Sequence, residues 1–379
     1  MVTKTKGMGE LFKEVIDKGL CTLCGACIGD CPYTVFYRGK IRMLDLCTRG
    51  EGHCYEYCPR THTDLDLISN KLLGVPFSGA EIGTVKDVFM ARSKDSKVRS
   101  QAQYGGTVTS LLLLALEHGL INAAIATRID GDKLPAGYVA HSAAEVMESS
   151  GSSYMAHPVL ETLNGIPKDS KDSLGIVVTP CQAIALAKMR LDPPAQRVSL
   201  DNVRLSIGLF CTWALAYDRF YEFLKYNVDL PKVKKFDIPP PPANKFDVYM
   251  GKEVKSFPLD EVRKYRMATC AYCLDMTAEF TDISVGSVEG VEGWNTVIVR
   301  TQRGMDIIGE AKKKGKLEIK DLPAQSLAHL KEAALIKKAR AVQEIVKVTG
   351  DKNDLMYLGI SDSLKEKLLG HRVTVQGGH

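Results

Sequence analysis

The sequence predicts an α/β core built on a mixed or parallel sheet, with a cysteine-rich segment in front of it. Three observations point there. Residues 85–230 alternate short apolar runs with helical runs, the pattern that parallel pairing through helical crossovers produces. Two of the apolar runs, at 174–179 and 203–210, end directly at a cysteine or one residue before it. Seven of the eleven cysteines fall between positions 21 and 58, in a stretch of short elements and turns.

Each core element follows from local pattern. Val85–Met90 reads as a strand. Gly106–His118 reads as a helix opening after a Gly-Gly turn, with Gly119 suited to its end. Ile121–Thr127 is a strand, and Leu174–Thr179 (LGIVVT) is a short buried strand running into Pro180-Cys181. Gln182–Met189 is helical, Val203–Phe210 is a strand ending at Cys211, and Tyr217–Tyr226 is helical. Residues 231–260 break the alternation. The four prolines Pro239–Pro242 suit neither a helix nor a sheet interior and read as a rigid extended connector. Strands return at Asp247–Met250, Ile283–Val285 and Thr296–Arg300, and helices at Gly304–Lys313 and Gln325–Val346. Lys312–Lys314 and Lys316 read as a solvated helix end. The organisation expected is a cysteine segment over 1–75, a core over 85–345 and a C-terminal tail over 346–379.

Composition narrows the function classes. The chain has 379 residues, a formal charge of +5, 25% charged and 45% hydrophobic residues, which is ordinary for a globular protein and excludes a disordered chain. No run approaches the ~18 apolar residues of a membrane span. The N-terminus MVTKTKGMGELFKEV lacks a signal-peptide core, so a cytoplasmic protein with reduced thiols is expected. The positive charge is too diffuse for nucleic-acid binding.

Clustered reduced cysteines bind metal more often than they pair. Cys21-x2-Cys24-x2-Cys27-x3-Cys31-Pro32 matches the bacterial ferredoxin run, in which three thiolates hold one [4Fe–4S] cluster and the fourth reaches another. Tight turns aim three sulfurs at one face, and Gly25 allows close backbone approach. Residues 1–75 therefore read as a ferredoxin-like iron–sulfur segment. Cys47-x6-Cys54-x3-Cys58-Pro59 is an irregular partner motif. In a two-cluster arrangement Cys58 joins Cys21, Cys24 and Cys27, and Cys31, Cys47 and Cys54 hold a second cluster one ligand short. Gly50-Glu51-Gly52-His53 stands where a middle cysteine belongs, so a three-iron form or a carboxylate, imidazole or outside ligand would complete it. Alternatively the second motif donates only Cys58. Cys181, Cys211 and the pair Cys270-x2-Cys273 form a set that one site could gather, because strand C-terminal edges are where such sheets place ligands; the pattern equally allows lone packed thiols. Tyr104-Gly105-Gly106-Thr107-Val108-Thr109-Ser110 opens a helix, and Ser149-Ser150-Gly151-Ser152-Ser153-Tyr154 offers loop hydroxyls and amides. Together they suit a dinucleotide, although each also reads as a turn and neither is GxGxxG. His53, His118, His141 and His157 read as surface or packing residues. Arg128, Lys133 and Lys188 read as solvated cations, with contact to an anionic substrate as the alternative.

The GGTVTS and SSGSSY loops, the Thr179-Pro180-Cys181-Gln182 turn, Gly208-Leu209-Phe210-Cys211, and Cys270-x2-Cys273 with Asp282–Ser287 occur in this order. That order resembles the beta-subunit family of coenzyme F420-reducing hydrogenases and F420-dependent formate dehydrogenases, from about Cys21 to about Arg340. The resemblance implies an FAD- and [4Fe–4S]-binding oxidoreductase subunit, with two or three clusters counting the N-terminal segment. It makes Cys181, Cys211, Cys270 and Cys273 the ligands of a cluster beside the flavin. It places Gly105, Gly106, Thr107 and Thr109 by FAD, and Ser150, Gly151, Ser152, Ser153 and Tyr154, with Thr179, along the cofactor. No catalytic acid–base residue is implied. The implied partners are redox subunits of a larger complex, F420 or NAD(P)H as hydride carrier, and a ferredoxin. The competing reading is an electron-transfer module with no carrier substrate of its own.

Overall fold

The structure, a computed structural model, describes residues 6–129, 135–193, 200–239 and 243–373. Its centre is an eight-stranded mixed sheet. In chain order the strands are β1 Asp87–Ser93, β2 Ala123–Ile129, β3 Pro135–Ala140, β4 Leu174–Val178, β5 Val203–Leu209, β6 Ile283–Ser287, β7 Asn295–Val299 and β8 Leu317–Lys320. They lie in the order β8-β1-β7-β6-β5-β4-β2-β3. The four middle strands, β6, β5, β4 and β2, are parallel, and the flanking pairs are antiparallel. The expected α/β core is therefore present, its sheet mixed; the six inner strands end within a few residues of the sequence reading, whereas the edge strands β3 and β8 had no counterpart in it.

Both faces of the parallel centre are covered. Helices Thr107–Glu117 and Gln302–Lys313 pack on one face through Leu111, Leu112, Ile307 and Ile308. Helices Val159–Asn164 and Pro180–Leu191 pack on the other through Leu160, Leu163, Ala185 and Met189. Two-sided burial is why β4 reads LGIVV without polar alternation.

The cysteine segment contains one antiparallel hairpin, Thr34–Tyr37 with Lys40–Met43, and short helices. It is built onto the second face rather than tethered beside it. Cys24, Ala26 and Tyr57 join that core. Leu160 N–H donates to the Cys24 carbonyl at 3.0 Å, and the Asn164 amide donates to the Ala26 and Ile28 carbonyls.

Two regions differ from the sequence reading. The flanks of the proline run hold more sheet than the one strand, Asp247–Met250, that the sequence reading placed there. Lys235–Asp237, Lys245–Met250 and Glu253–Pro258 form a three-stranded antiparallel sheet whose Phe236, Phe246 and Phe257 pack with Phe220 of helix Tyr217–Asn227. Pro240–Pro242 themselves lie outside the described residues. The segment after 346 is folded: helix Ala324–Thr349 is followed by Leu358–Gly359, paired in parallel with Thr63–Asp64, and by helix Asp362–Gly370. Among the described residues no helix is long and apolar enough to cross a membrane.

Candidate functional site

The C-terminal ends of the parallel strands carry the first group of thiols. Thr179 caps helix Pro180–Leu191, its N–H held by the Gln182 side chain at 2.8 Å, with Pro180 at the first helical position. That turn projects Cys181 immediately past β4. Cys211 stands two residues past β5, anchored by its N–H to the Met276 carbonyl at 2.9 Å. Cys270 and Cys273 sit on and just after the 3-10 turn Ala268–Tyr272. These four thiols come together: Cys211 feels Cys270, Cys181 and Cys273, and Cys181 feels Cys273. Burial pushes the Cys181, Cys211 and Cys270 thiols above their ordinary value. At Cys273 burial acts the same way, but the Lys337 ammonium and the Arg60 guanidinium outweigh it and bring the thiol below its ordinary value.

The second group of thiols lies in the N-terminal segment. Cys21, Cys24, Cys27 and Cys58 line one pocket with Leu11, Val15, Ile16 and Ile41. The loop that presents them needs left-handed backbone at Leu23 and Gly25. At Gly25 (φ +90°) a Cβ would stand 2.8 Å from the Pro158 carbonyl oxygen and 2.7 Å from the Glu161 nitrogen, so only glycine fits. Burial raises Cys21 to about 12. Cys181 lies within electrostatic reach of both Cys21 and Cys24, so the two quartets abut. Cys31 and Cys47 gather about Cys54 as a third, three-thiol group. His53 does not complete it. Its Nδ1 meets Asp30 at 3.1 Å, its Nε2 meets Asp192 at 3.5 Å, and its ring stacks on Tyr57.

Among the described residues, no three His, Cys, Asp or Glu side chains close on one point as the shell of a single metal ion does. The thiol groups are wider gatherings around shared space, which suits a polynuclear cluster. Charge supports the fit. Two buried cations, Arg60 and Lys337, and the half-buried Lys188 stand against the thiols, and among the described residues no carboxylate makes an ion-pair contact with them. Lys337, on helix Ala324–Thr349, donates to the Cys211 carbonyl at 2.5 Å. Arg60 donates to Thr269 and Tyr357, stacks on the Tyr357 ring, and faces Cys273, Cys181 and Cys270. Lys188 donates to the Cys58 and His62 carbonyls at 2.8 and 2.9 Å and to the Thr61 hydroxyl; burial lowers it to about 8, opposed by Cys58, Glu56 and Cys24. Burying cations without counter-charge is costly, and metal-bound thiolates would supply that charge. Lys188 is thus no solvated surface cation. Arg128 is, paired with Glu148 at 2.9 Å, and Lys133 lies outside the described residues.

The two glycine- and serine-bearing loops also meet. Thr109 Oγ1 and Ser150 Oγ are 3.4 Å apart, and Gln103 joins Ser152 and Tyr154. Helix Thr107–Glu117 has no side-chain cap, and Gly106 before it has φ +73°. Gly151 (φ +104°) and Tyr154 (φ +60°) bend the second loop, and Ser153 lies between them. Gly105 is tight against the Ala91 carbonyl and Asn295, and Thr107 is fully buried with its hydroxyl donated to Ala91, so these two serve strand packing. Thr179 stands with the thiols, its Oγ1 3.5 Å from Cys181 Sγ. Segment 211–216 joins loop and thiols: Leu215 N–H donates to the Tyr154 carbonyl at 2.8 Å, and Ala214 N–H donates to Cys270 Sγ at 3.4 Å.

Sequence reasoning missed Arg60 and Lys337, and placed Lys188 at the solvated surface. Lys188 left a trace, since its helix is buried at nearly every position from Pro180 to Met189. Arg60 follows Cys58-Pro59 closely, but nothing local marks Lys337.

Residues 88–164 match the N-terminal part, and residues 171–325 the C-terminal part, of the family described as coenzyme F420 hydrogenase/dehydrogenase, beta subunit. The chain belongs to this family. It is 33% identical to the coenzyme F420 hydrogenase subunit beta of Methanothermobacter thermautotrophicus, over 70% of this chain and 95% of that one. It is 31% identical to the coenzyme F420-dependent sulfite reductase of Methanocaldococcus jannaschii, over 78% of this chain but only 46% of the reductase. A chain of the F420-reducing [NiFe] hydrogenase complex from Methanosarcina barkeri superposes with a TM-score of 0.62 at 30% identity, over 71% of this chain and 94% of that one. The two family regions contain the Gly105 and Ser150 loops and the Cys181, Cys211, Cys270 and Cys273 quartet; the cysteine segment before residue 76 lies outside both.

Proposed function

We propose that this beta-subunit chain is a flavin and iron–sulfur oxidoreductase subunit that exchanges a hydride with F420 and passes single electrons to or from a partner. The observation that carries the reading is the continuity of the site. The dinucleotide-type loops share segment 211–216 with one thiol quartet, that quartet abuts a second at Cys181, Cys21 and Cys24, and the second leads to the Cys31, Cys47 and Cys54 group.

In this reading Cys181, Cys211, Cys270 and Cys273 hold one [4Fe–4S] cluster and Cys21, Cys24, Cys27 and Cys58 another. Cys31, Cys47 and Cys54 hold a third with its fourth ligand from elsewhere. FAD would supply the conversion between hydride and single electrons, and the clusters would carry the latter. The chain's own residues do the rest. Thr107 N–H is taken by the Asn295 side chain, and the next amides of helix Thr107–Glu117, with Thr109 and Ser150, suit an anionic pyrophosphate. Lys337 and Arg60 offset thiolate charge where water is excluded, and half-buried Lys188 adds to them beside Cys58.

The test is anaerobic reconstitution followed by mixing with reduced F420, NADPH or NADH. Flavin bleaching by reduced F420 is expected, with about eight to twelve iron atoms per chain. Fewer than about five iron atoms would overturn the N-terminal clusters. Silence towards all three donors, with reduction only by a one-electron carrier or a partner subunit, would replace the reading with that of a module lacking its own carrier substrate.

A further inference from the structure

Where the two thiol quartets abut, Thr22 carries a hydroxyl that packing alone does not explain. It follows Cys21 and precedes Leu23-Cys24 in the first ligand run. The chain turns there: Leu23 takes a left-handed φ of +57°, and its N–H donates to Cys21 Sγ at 3.5 Å. Thr22 is 8% exposed, and its hydroxyl is buried without a hydrogen-bond partner among the described residues. A buried hydroxyl left alone costs stability that a methyl of the same shape would not, so this one calls for an acceptor. The sulfur it acts on is that of Cys181, a member of the other quartet. Burial and Cys273 raise the Cys181 thiol; the Thr179 hydroxyl at 3.5 Å, the Arg60 guanidinium and the Thr22 hydroxyl oppose them. Both loops are held in place. Thr269, next to Cys270, donates its hydroxyl to the Leu20 carbonyl at 2.6 Å. Arg60 donates to the Thr269 hydroxyl and carbonyl, each at 3.0 Å. The entry to the first quartet and the CxxC turn of the second are thus fixed by one threonine and one guanidinium.

We infer that Thr22 is the positioning residue that couples the two quartets: its hydroxyl donates to the metal-bound Cys181 sulfur while its main chain is bonded to Cys21. The inference rests on the reading of both quartets as [4Fe–4S] sites. Chemistry explains why the hydroxyl is unpartnered beside a thiol. A protonated sulfur is a weak acceptor, whereas a thiolate takes a charge-assisted hydrogen bond. The bond has two consequences. It stabilises negative charge on Cys181, and so favours the reduced state of the cluster that Cys181 holds. It also gives single electrons a path from Cys21 to Cys181 through one residue and one hydrogen bond. In that step one cluster is oxidised by one electron and the other reduced by one. No bond is made or broken, and the hydroxyl keeps its proton.

The experiment uses the reconstituted full chain, titrated with dithionite through mediators and read by electron paramagnetic resonance. Thr22→Val keeps the shape and removes the donor. With full iron and two quartet signals present, it should move the midpoint of the Cys181, Cys211, Cys270 and Cys273 cluster negative by about 59 mV, a tenfold change for one electron. Double-resonance spectra in light and heavy water should lose one exchangeable-proton coupling to that cluster. Thr22→Ser should restore both, which a role in packing alone does not predict. A parent potential and unchanged couplings in Thr22→Val, with full iron, overturn the inference. If Thr22→Val fails to hold iron, Thr22→Ser and Thr22→Ala decide it: a parent potential in the serine variant with a negative shift in the alanine variant upholds the bridge, and parent potentials in both overturn it. A parent chain in which either quartet takes up no iron overturns instead the reading on which the inference rests, and iron content measured beforehand tells the two failures apart.

Discussion

Lys337 illustrates what a single side chain does when its partners are thiols. It is 4% exposed, donates to the Cys211 carbonyl, and is surrounded by Cys273, Cys211 and Cys270 with Asp275. Burial alone would lower its affinity for a proton, yet the thiols and Asp275 raise it, so the ammonium persists. Replacing it with methionine keeps the volume and removes the charge. The midpoint potential of the cluster proposed beside it should move negative by on the order of 100 mV, since a buried unit charge is worth a few kcal/mol and 59 mV is tenfold for one electron. Redox titration followed by electron paramagnetic resonance reads the shift, and Lys337→Arg should restore most of it. An unchanged potential in Lys337→Met would remove Lys337 from this role. His157 offers a separate handle. It is buried between the Thr127 hydroxyl at 2.5 Å and the Met155 carbonyl, and burial lowers its pKa to about 4. Its unfolded counterpart protonates near 6.5, so the stability it contributes is complete above that pH and is lost as pH falls towards 4. Roughly 3 kcal/mol should disappear across that window in urea unfolding, and His157→Gln should flatten the slope there. An equally steep slope in the variant would assign the acid sensitivity to other groups.

At the scale of elements, the parallel centre was legible because its strands are short apolar runs bounded by helix starts, as at Leu174–Val178 before Thr179-Pro180. The edge strand Pro135–Ala140 was not: PAGYVA carries proline and glycine, and its pairing comes from neighbouring β2 rather than from its own propensity. Of the sheet around the prolines only Asp247–Met250 was legible; its partners Lys235–Asp237 and Glu253–Pro258 are short strands held by the packing of Phe236, Phe246 and Phe257. Ligand spacing was legible in the loops, whereas the cations among the thiols were not, because Arg60, Lys188 and Lys337 converge only after three distant elements pack. The loop of Cys21–Cys31 shows how narrow the tolerance is. Gly25→Ala should disrupt more than a helix-interior glycine change would, because it combines a left-handed φ with contacts under 3 Å to the backbone of 158–161. A loss of at least about 2 kcal/mol is expected, with faster proteolysis confined to the cysteine segment. Parent-like melting and parent-like iron content would mean that the loop relaxes away from Pro158 without cost.

Across the whole molecule, the C-terminal residues close the structure on the thiols. Leu358–Gly359 adds to Thr63–Asp64, and the Thr63 N–H donates to the Tyr357 carbonyl at 2.8 Å. The Tyr357 hydroxyl donates to the Tyr272 carbonyl, inside the Cys270–Cys273 turn, and accepts from Arg60. One tyrosine from the end of the chain therefore fixes both the CxxC turn and the cation between the quartets. Leu358, Leu364 and Leu368 bury alongside Ile68 and Val342, tying the first cysteine segment to the long helix. Each such side chain contributes roughly 1.5–3 kcal/mol on burial. Ending the chain after Thr349 should thus lower the melting temperature sharply and release iron from Cys270 and Cys273, although every cysteine remains. Because that truncation could simply prevent folding, Tyr357→Phe is the finer probe. It keeps the ring against Arg60 but removes the hydroxyl, leaving a buried carbonyl and guanidinium each short of a partner, at a cost of roughly 1–3 kcal/mol. Its expected signature is a changed spectrum of the Cys181, Cys211, Cys270 and Cys273 cluster, with that of the Cys21, Cys24, Cys27 and Cys58 cluster less affected. If both spectra and the melting temperature match the parent, the C-terminal segment stabilises the fold without positioning the site.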